Sequence, residues 1–186
     1  MRKLFWAAHS RPGRFVFRQV LKGLESSLRY RWNDPRKLVA AAGVQSGQTV
    51  LEVGCGSGFF TPALSDNAGE RGLVQAIDLH PLAVEATRRK MQALGKQNVL
   101  VSKADAHDTG FAEASFDTIL LYGVVPAPVI CEKRLAHELY RLLKPGGILA
   151  VWTIAPFWSP RAFINAAPFQ PVGKSQGVHR LQKAPL

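Results

Sequence analysis

The sequence predicts an α/β protein: a seven-stranded, mostly parallel sheet, helices on both faces, and an antiparallel hairpin at the C-terminal end. Three observations predict it. A run of β-formers, Val50 to Val53, breaks into glycine at 54, 56 and 58 and restarts as a helical segment. Strand-like runs at 48–53, 73–78, 99–102, 116–122 and 148–153 then alternate with helical segments, which predicts helices between the first five strands. That alternation forces a parallel sheet with right-handed crossovers. Last, 169–175 and 178–183 read as two short strands joined around Gly177.

Each element has a local reason. From Gly13 to Tyr30, Phe17, Val20, Leu21, Leu24 and Leu28 share one face of a 3.6-residue period, beside Arg14, Arg18, Lys22, Glu25 and Arg29. Asp34-Pro35 starts a helix, with Asp34 as N-cap and Pro35 in the first position; the helix ends at Gly43. The helix after the glycines runs over 59–67, where Pro62 is tolerated in the first turn. His80-Pro81 opens the helix 81–94, and Gly95 closes it. In the helix 131–143, Leu135, Leu139, Leu142 and Leu143 form the buried face. Leu143-Lys144-Pro145-Gly146-Gly147 then turns sharply into the strand Ile148 to Thr153.

The glycine turn carries the chemistry. A buried strand that breaks into glycine and restarts as a helix is a ligand-binding turn of an α/β sheet. Gly54, Gly56 and Gly58 permit the turn and let a ligand approach the backbone, with Cys55 between the first two. The dinucleotide fingerprint G-x-G-x-x-G needs glycine at 59 or 61, where Phe59 and Thr61 stand. The pattern is instead Glu52-x-Gly54-x-Gly56-x-Gly58. Asp78 follows 20 residues beyond Gly58, at the carboxyl end of the second strand, where open α/β sheets bind ligands. A carboxylate there accepts from both hydroxyls of a ribose. The plain alternative, a helix N-cap, is weakened because His80-Pro81 already starts the helix. After the third strand come Lys103-Ala104-Asp105-Ala106-His107.

In order and spacing, the glycine turn, Asp78, Asp105-Ala106 and the Lys144 to Gly147 turn resemble the landmarks of the class I S-adenosylmethionine (SAM) methyltransferases. The resemblance covers residues 35–186 and is closest to the group acting on small molecules, quinones and lipids. It implies a Rossmann-like sheet and SAM as cofactor. It places the cofactor against Glu52, Gly54, Cys55, Gly56 and Gly58, the ribose at Asp78 with Leu79 beside it, and the adenine at Asp105 and the Ala106 N–H. His107 stands next to that base, or is merely exposed. The end of the fourth strand, Tyr122 to Pro126, faces the transferable methyl group. Tyr122 and His9 are the candidates for substrate contact, against plainer roles in packing and at the surface. No residue declares itself a general base.

The chain length of 186 residues suits one domain, here 35–186, with an N-terminal extension over 1–34. Residues 1–37 hold ten Lys/Arg and two acids, so most of the net charge of +11 sits there. Two readings follow: a lid over the cofactor cleft, or a helix lying on an anionic membrane surface. No recognisable nucleic-acid motif accompanies the charge, so nucleic acid is not expected as a partner. Cys55 and Cys131 form neither a metal pattern nor a disulfide framework. With no signal peptide in view, a reducing, cytoplasmic location is expected, peripheral on the membrane if the basic segment docks there. Residues 118–131 hold no carboxylate, so no metal is expected. The Asn/Asp-Pro-Pro-aromatic signature of base and glutamine methylases is also missing after the fourth strand. The expected activity is methyl transfer to a small, lipophilic acceptor. The alternatives are a membrane-docked lipid or quinone methyltransferase, a non-catalytic SAM-binding scaffold, and a nicotinamide oxidoreductase, which the glycine spacing disfavours.

Overall fold

The computed structural model describes residues 33–127, 130–155 and 157–184. The basic helix expected over 13–30, the proposed extension up to residue 32, and His9 lie outside the described residues. Seven strands form one sheet in the order β3-β2-β1-β4-β5-β7-β6: β1 Thr49–Val53, β2 Leu73–Asp78, β3 Val99–Lys103, β4 Phe116–Tyr122, β5 Leu143–Trp152, β6 Phe169–Ser175 and β7 Val178–Lys183. The first five are parallel; β7 runs antiparallel to β5 and β6. Five helices are described: α1 Pro35–Ala42, α2 Thr61–Ala68, α3 Pro81–Ala93, α4 Glu132–Leu142 and α5 Arg161–Ala166.

The helix starts follow local chemistry. Asp34 Oδ1 accepts from Arg36 N at 2.9 Å, ahead of Pro35 at the head of α1. His80 Nδ1 accepts from Leu82 N at 3.1 Å and caps α3. Helix α5 was not expected from the sequence. It follows Pro160 and is anchored by the fully buried Phe163. In the hairpin, Gln176 and Gly177 both have positive φ, 50° and 79°. That pair makes the two-residue turn whose twist matches antiparallel strands.

Strand alternation sorts side chains to two cores, one on each side of the sheet. Leu51, Val53, Ile119, Leu121, Leu149 and Val151 pack against α4 and α5. Val50, Leu120, Tyr122, Ala150 and Trp152 pack with α1 and α2. The order 3-2-1-4-5 reverses direction between β1 and β4, and crevices of such sheets open at the carboxyl ends of the strands flanking the reversal.

One expectation needs correction. No helix joins β3 to β4: residues 104–115 cross as an irregular segment. Asp105, Thr109 and Gly110 (φ 74°) turn it, and Thr109 ties it to Glu138 of α4. The Lys144 to Gly147 phrase turns as expected, with Gly146 at φ 77°. It lies within the ten-residue β5, where the register beside β4 shifts from Phe116↔Leu143 to Thr118↔Ile148. Asp117 sits at this irregularity, with Oδ1 taking Lys144 Nζ at 2.7 Å and Oδ2 accepting from Thr49 N at 2.8 Å.

Candidate cofactor site

The turn after β1 is built as its glycines require. Gly54, Gly56 and Gly58 have φ of 75°, 57° and 76°, a region that side chains with a Cβ rarely enter. The N–H groups of Gly54 and Cys55 both donate to Ile77 O, at 2.8 and 3.0 Å, so the turn is bound to the end of β2. A Cβ on Gly54 would stand 2.6 Å from Val124 Cγ2, so the segment after β4 closes directly over the turn. Thr87 of α3 donates to Gly56 O at 3.0 Å.

Glu52 is buried and accepts from Thr61 Oγ1 at 2.6 Å. Burial pushes its carboxyl up to about 8, against the Thr61 hydrogen bond that lowers it; Asp78 adds to the rise and Lys90 opposes it. Cys55 is buried too, and that burial drives its thiol well above the ordinary value. Asp78 Oδ2 accepts from Gly56 N at 3.0 Å, and Oδ1 from His80 N at 2.8 Å. One carboxylate therefore ties the glycine turn to the start of α3. Burial raises its pKa, with those two N–H groups pulling the other way. Leu79, the next residue, is 40 % exposed at the same edge.

Asp105 lies at the corresponding end of β3. Its Oδ1 accepts from His107 N at 2.9 Å and faces His107 Nδ1 at 3.0 Å. Partial burial works to raise its pKa, but the His107 hydrogen bonds outweigh this, helped by Arg134, and the net shift is downward. Ala106 is half-buried against the core at this turn. The structure thus gathers Glu52, the three glycines, Asp78, Leu79, Asp105 and Ala106 along the carboxyl edge of β1, β2 and β3.

Tyr122 does not join them through its side chain. Its hydroxyl donates to Leu38 O at 2.8 Å, and its ring stands edge-on to Phe60 with centroids 5.1 Å apart. Alternation along β4 turns it to the same face as Leu120, under α1, and burial drives its pKa far above the ordinary range. The substrate-side role expected for it does not match this placement; it is a packing residue.

Ser57 was missed. It sits within the turn, its Oγ is buried, and it has no hydrogen-bond partner among the described residues. Its position between two glycines of the motif was the available signal. A turn of glycines too close-packed to carry side chains, with an orphaned hydroxyl inside it, fits a ligand with polar groups, as SAM is.

Two clefts lie away from this edge. One, of about 820 Å³, is lined by Ser65, Asp66, Lys96 and Asn98 near the amino ends of β2 and β3. There Asp66 pairs with Lys96, and Ser65 with Asn98. The other, of about 500 Å³, lies beside β3. Neither cleft holds the glycine turn, Asp78 or Asp105.

Comparison with known proteins agrees with this geometry. A family described as "Methyltransferase domain" matches residues 50–147. The ubiquinone/menaquinone biosynthesis C-methyltransferase UbiE of Klebsiella pneumoniae is 34% identical over 118 residues, 62% of this chain and 46% of that protein. The aklanonic acid methyltransferase DauC of a Streptomyces species is 32% identical over 139 residues, 73% of this chain and 59% of that one. The chain spans about half the length of the curated relatives it matches. Among solved structures, a SAM-dependent methyltransferase from Aquifex aeolicus superposes with a TM-score of 0.73 at 26% identity, covering 88% of this chain and 97% of that one. With a match over more than half its length, this chain belongs to the methyltransferase-domain family, as a Rossmann-like, SAM-dependent class I member.

Proposed function

We propose that the protein transfers the methyl group of SAM to a small, lipophilic acceptor by in-line displacement. One observation carries the reading: the glycine turn, Asp78 and Asp105 lie along a single sheet edge, with the turn at the point where strand order reverses. When bound, SAM supplies an activated methyl group on sulfur, which is the difficult part of the chemistry. The chain's own residues bind and orient. The turn from Gly54 to Gly58 would receive the methionine part, with Ser57 offering its orphaned hydroxyl. Asp78, already aligned by Gly56 and His80, would take the ribose hydroxyls. Leu79 would cover one face of the base, and Asp105 with the Ala106 N–H would read its edge. Alignment of two reactants in this way contributes about 7–11 kcal/mol.

The lipophilic character of the acceptor is supported by what stands open at the same edge. After β5, Ile154 is 78 % and Phe157 98 % exposed. Relatives that act on quinones point the same way. No general base is assigned; an acceptor that arrives as an enolate or amine needs none. The test pairs binding with turnover. Calorimetry with S-adenosylhomocysteine should show Asp78→Ala weaker by about 1–3 kcal/mol. Labelled methyl should pass to a prenylated quinol or another apolar acceptor in preference to soluble amines. Unchanged affinity would remove Asp78 from the ribose, and tight SAM binding with no transfer to any acceptor would favour a scaffold.

A second reading rests on the ten basic residues among 1–37. In it, the segment docks on an anionic membrane and brings the enzyme, otherwise cytoplasmic, to a lipid or quinone. Binding to anionic but not neutral vesicles, weakened by salt, would support it. Equal indifference to both would end it. No described helix is long and apolar enough to cross a membrane.

A further inference from the structure

The segment 104–115 that bears Asp105 has no helix; Ala104 N donates to Asp78 O at 3.2 Å and Asp108 N to Asp105 O at 3.1 Å, which hold its backbone but no side chain. An acidic side chain on such a segment, with 51 % of its surface exposed, loses rotamer freedom when it engages a ligand unless something has already ordered it. His107 is that something. Its side chain is only 14 % exposed and lies between two loops. On one side, Nε2 receives the backbone N–H of Cys131 at 3.2 Å, at the N-terminal boundary of α4. That N–H can only donate, so Nε2 is the acceptor and the ring's hydrogen is on Nδ1. On the other side, Nδ1–H therefore donates to Asp105 Oδ1 at 3.0 Å, and the His107 backbone N–H donates to the same oxygen at 2.9 Å. Oδ2 of Asp105 has no hydrogen bond among the described residues. A second tie runs from Thr109 N and Oγ1 to Glu138 Oε1, at 3.0 and 2.7 Å, so α4 and the residue that precedes it hold the segment at 107 and 109.

We propose that His107 is a positioning residue for base recognition: braced on the start of α4, it fixes the Asp105 carboxylate so that Oδ2 faces the exocyclic amino group of adenine. This rests on the reading that Asp105 meets the adenine. It also makes the segment after β4 part of base recognition, because Cys131 sets the ring that sets Asp105.

The test measures discrimination between bases. S-adenosylhomocysteine and S-inosylhomocysteine differ where Asp105 would read them, an amino group against a carbonyl oxygen. Calorimetric dissociation constants for both are compared in wild type, His107→Ala, His107→Asn, His107→Phe and Asp105→Ala, each checked for an unchanged melting profile. His107→Ala should weaken the adenosyl compound about tenfold and leave the inosyl compound nearly unchanged. His107→Asn, whose amide N–H replaces Nδ1–H, should restore most of the preference; His107→Phe, which restores only bulk, should not. Rescue by Phe rather than Asn, or equal weakening of both compounds by His107→Ala, would overturn the proposal and leave a packing role. Loss of preference in Asp105→Ala with His107→Ala unaffected would overturn it while sparing the adenine reading. Unaltered preference in Asp105→Ala would remove the adenine reading, and the proposal with it.

Discussion

At the scale of single residues, placement decides role more than type does. Glu52 and Asp78 are both carboxylates near the glycine turn. Glu52 has one hydroxyl partner and a buried environment that holds it up to about 8. Asp78 has two backbone N–H partners and links the turn to α3. Tyr122 shows the reverse case, a polar group near the expected site but turned away from it. Tyr122→Phe removes one hydrogen bond and leaves Leu38 O buried without that partner. It should cost about 1–3 kcal/mol of stability in urea unfolding and leave S-adenosylhomocysteine affinity unchanged. A change in affinity with stability intact would return Tyr122 to the site.

At the scale of elements, the irregular segment from β3 to β4 is secured by α4 in place of a helix of its own. Glu138 does most of this. It accepts from Thr109 N and Oγ1 and is paired twice with Arg141, Oε1 to one terminal nitrogen at 2.8 Å and Oε2 to Nε at 2.9 Å. Partial burial works to raise its pKa, but the Arg141 and Thr109 hydrogen bonds prevail and hold it down at about 2. A folded-state pKa below the ordinary 4.5 means the unfolded chain binds the proton more readily. The stabilisation is therefore full above about 4.5 and is lost as pH falls from there toward 2. Glu138→Gln should lower stability at pH 7 by about 1.5–3 kcal/mol and flatten the acid limb of the stability–pH curve. It should also speed amide exchange across 105–111 more than in the strands. An acid limb with the wild-type slope would show that Glu138 does not anchor this segment.

At the scale of the whole molecule, one sheet serves two cores. Leu121 of β4 is fully buried on the α4–α5 side and Leu120 on the α1–α2 side. Neither core is separable, because β1, β4 and β5 contribute alternate residues to both. Leu121→Ala should cost about 2–5 kcal/mol, and tryptophan fluorescence and far-ultraviolet dichroism should still report a single shared unfolding transition. Separate midpoints by the two probes, with fluorescence read on a variant that keeps Trp152 as its only tryptophan, would show that the two sides melt independently.

Much of this architecture was legible in the residues alone, since it depends on local patterns. Alternating strand-like and helical runs dictate parallel pairing, and right-handed crossovers put the carboxyl ends of β1, β2 and β3 on one edge. Gly54 to Gly58, Asp78 and Asp105 were therefore bound to meet, whatever the details of packing. The hairpin was equally plain, because Gly177 marks its own turn. What only the tertiary structure decided lies between residues distant in the chain. Tyr122 bonds to Leu38 across 84 positions, and Thr109 to Glu138 across 29. His107 meets Cys131 across 24. No periodicity or propensity encodes such pairs. They are settled when the sheet twists and the helices dock, because a buried polar group takes whichever partner the packed chain brings within reach.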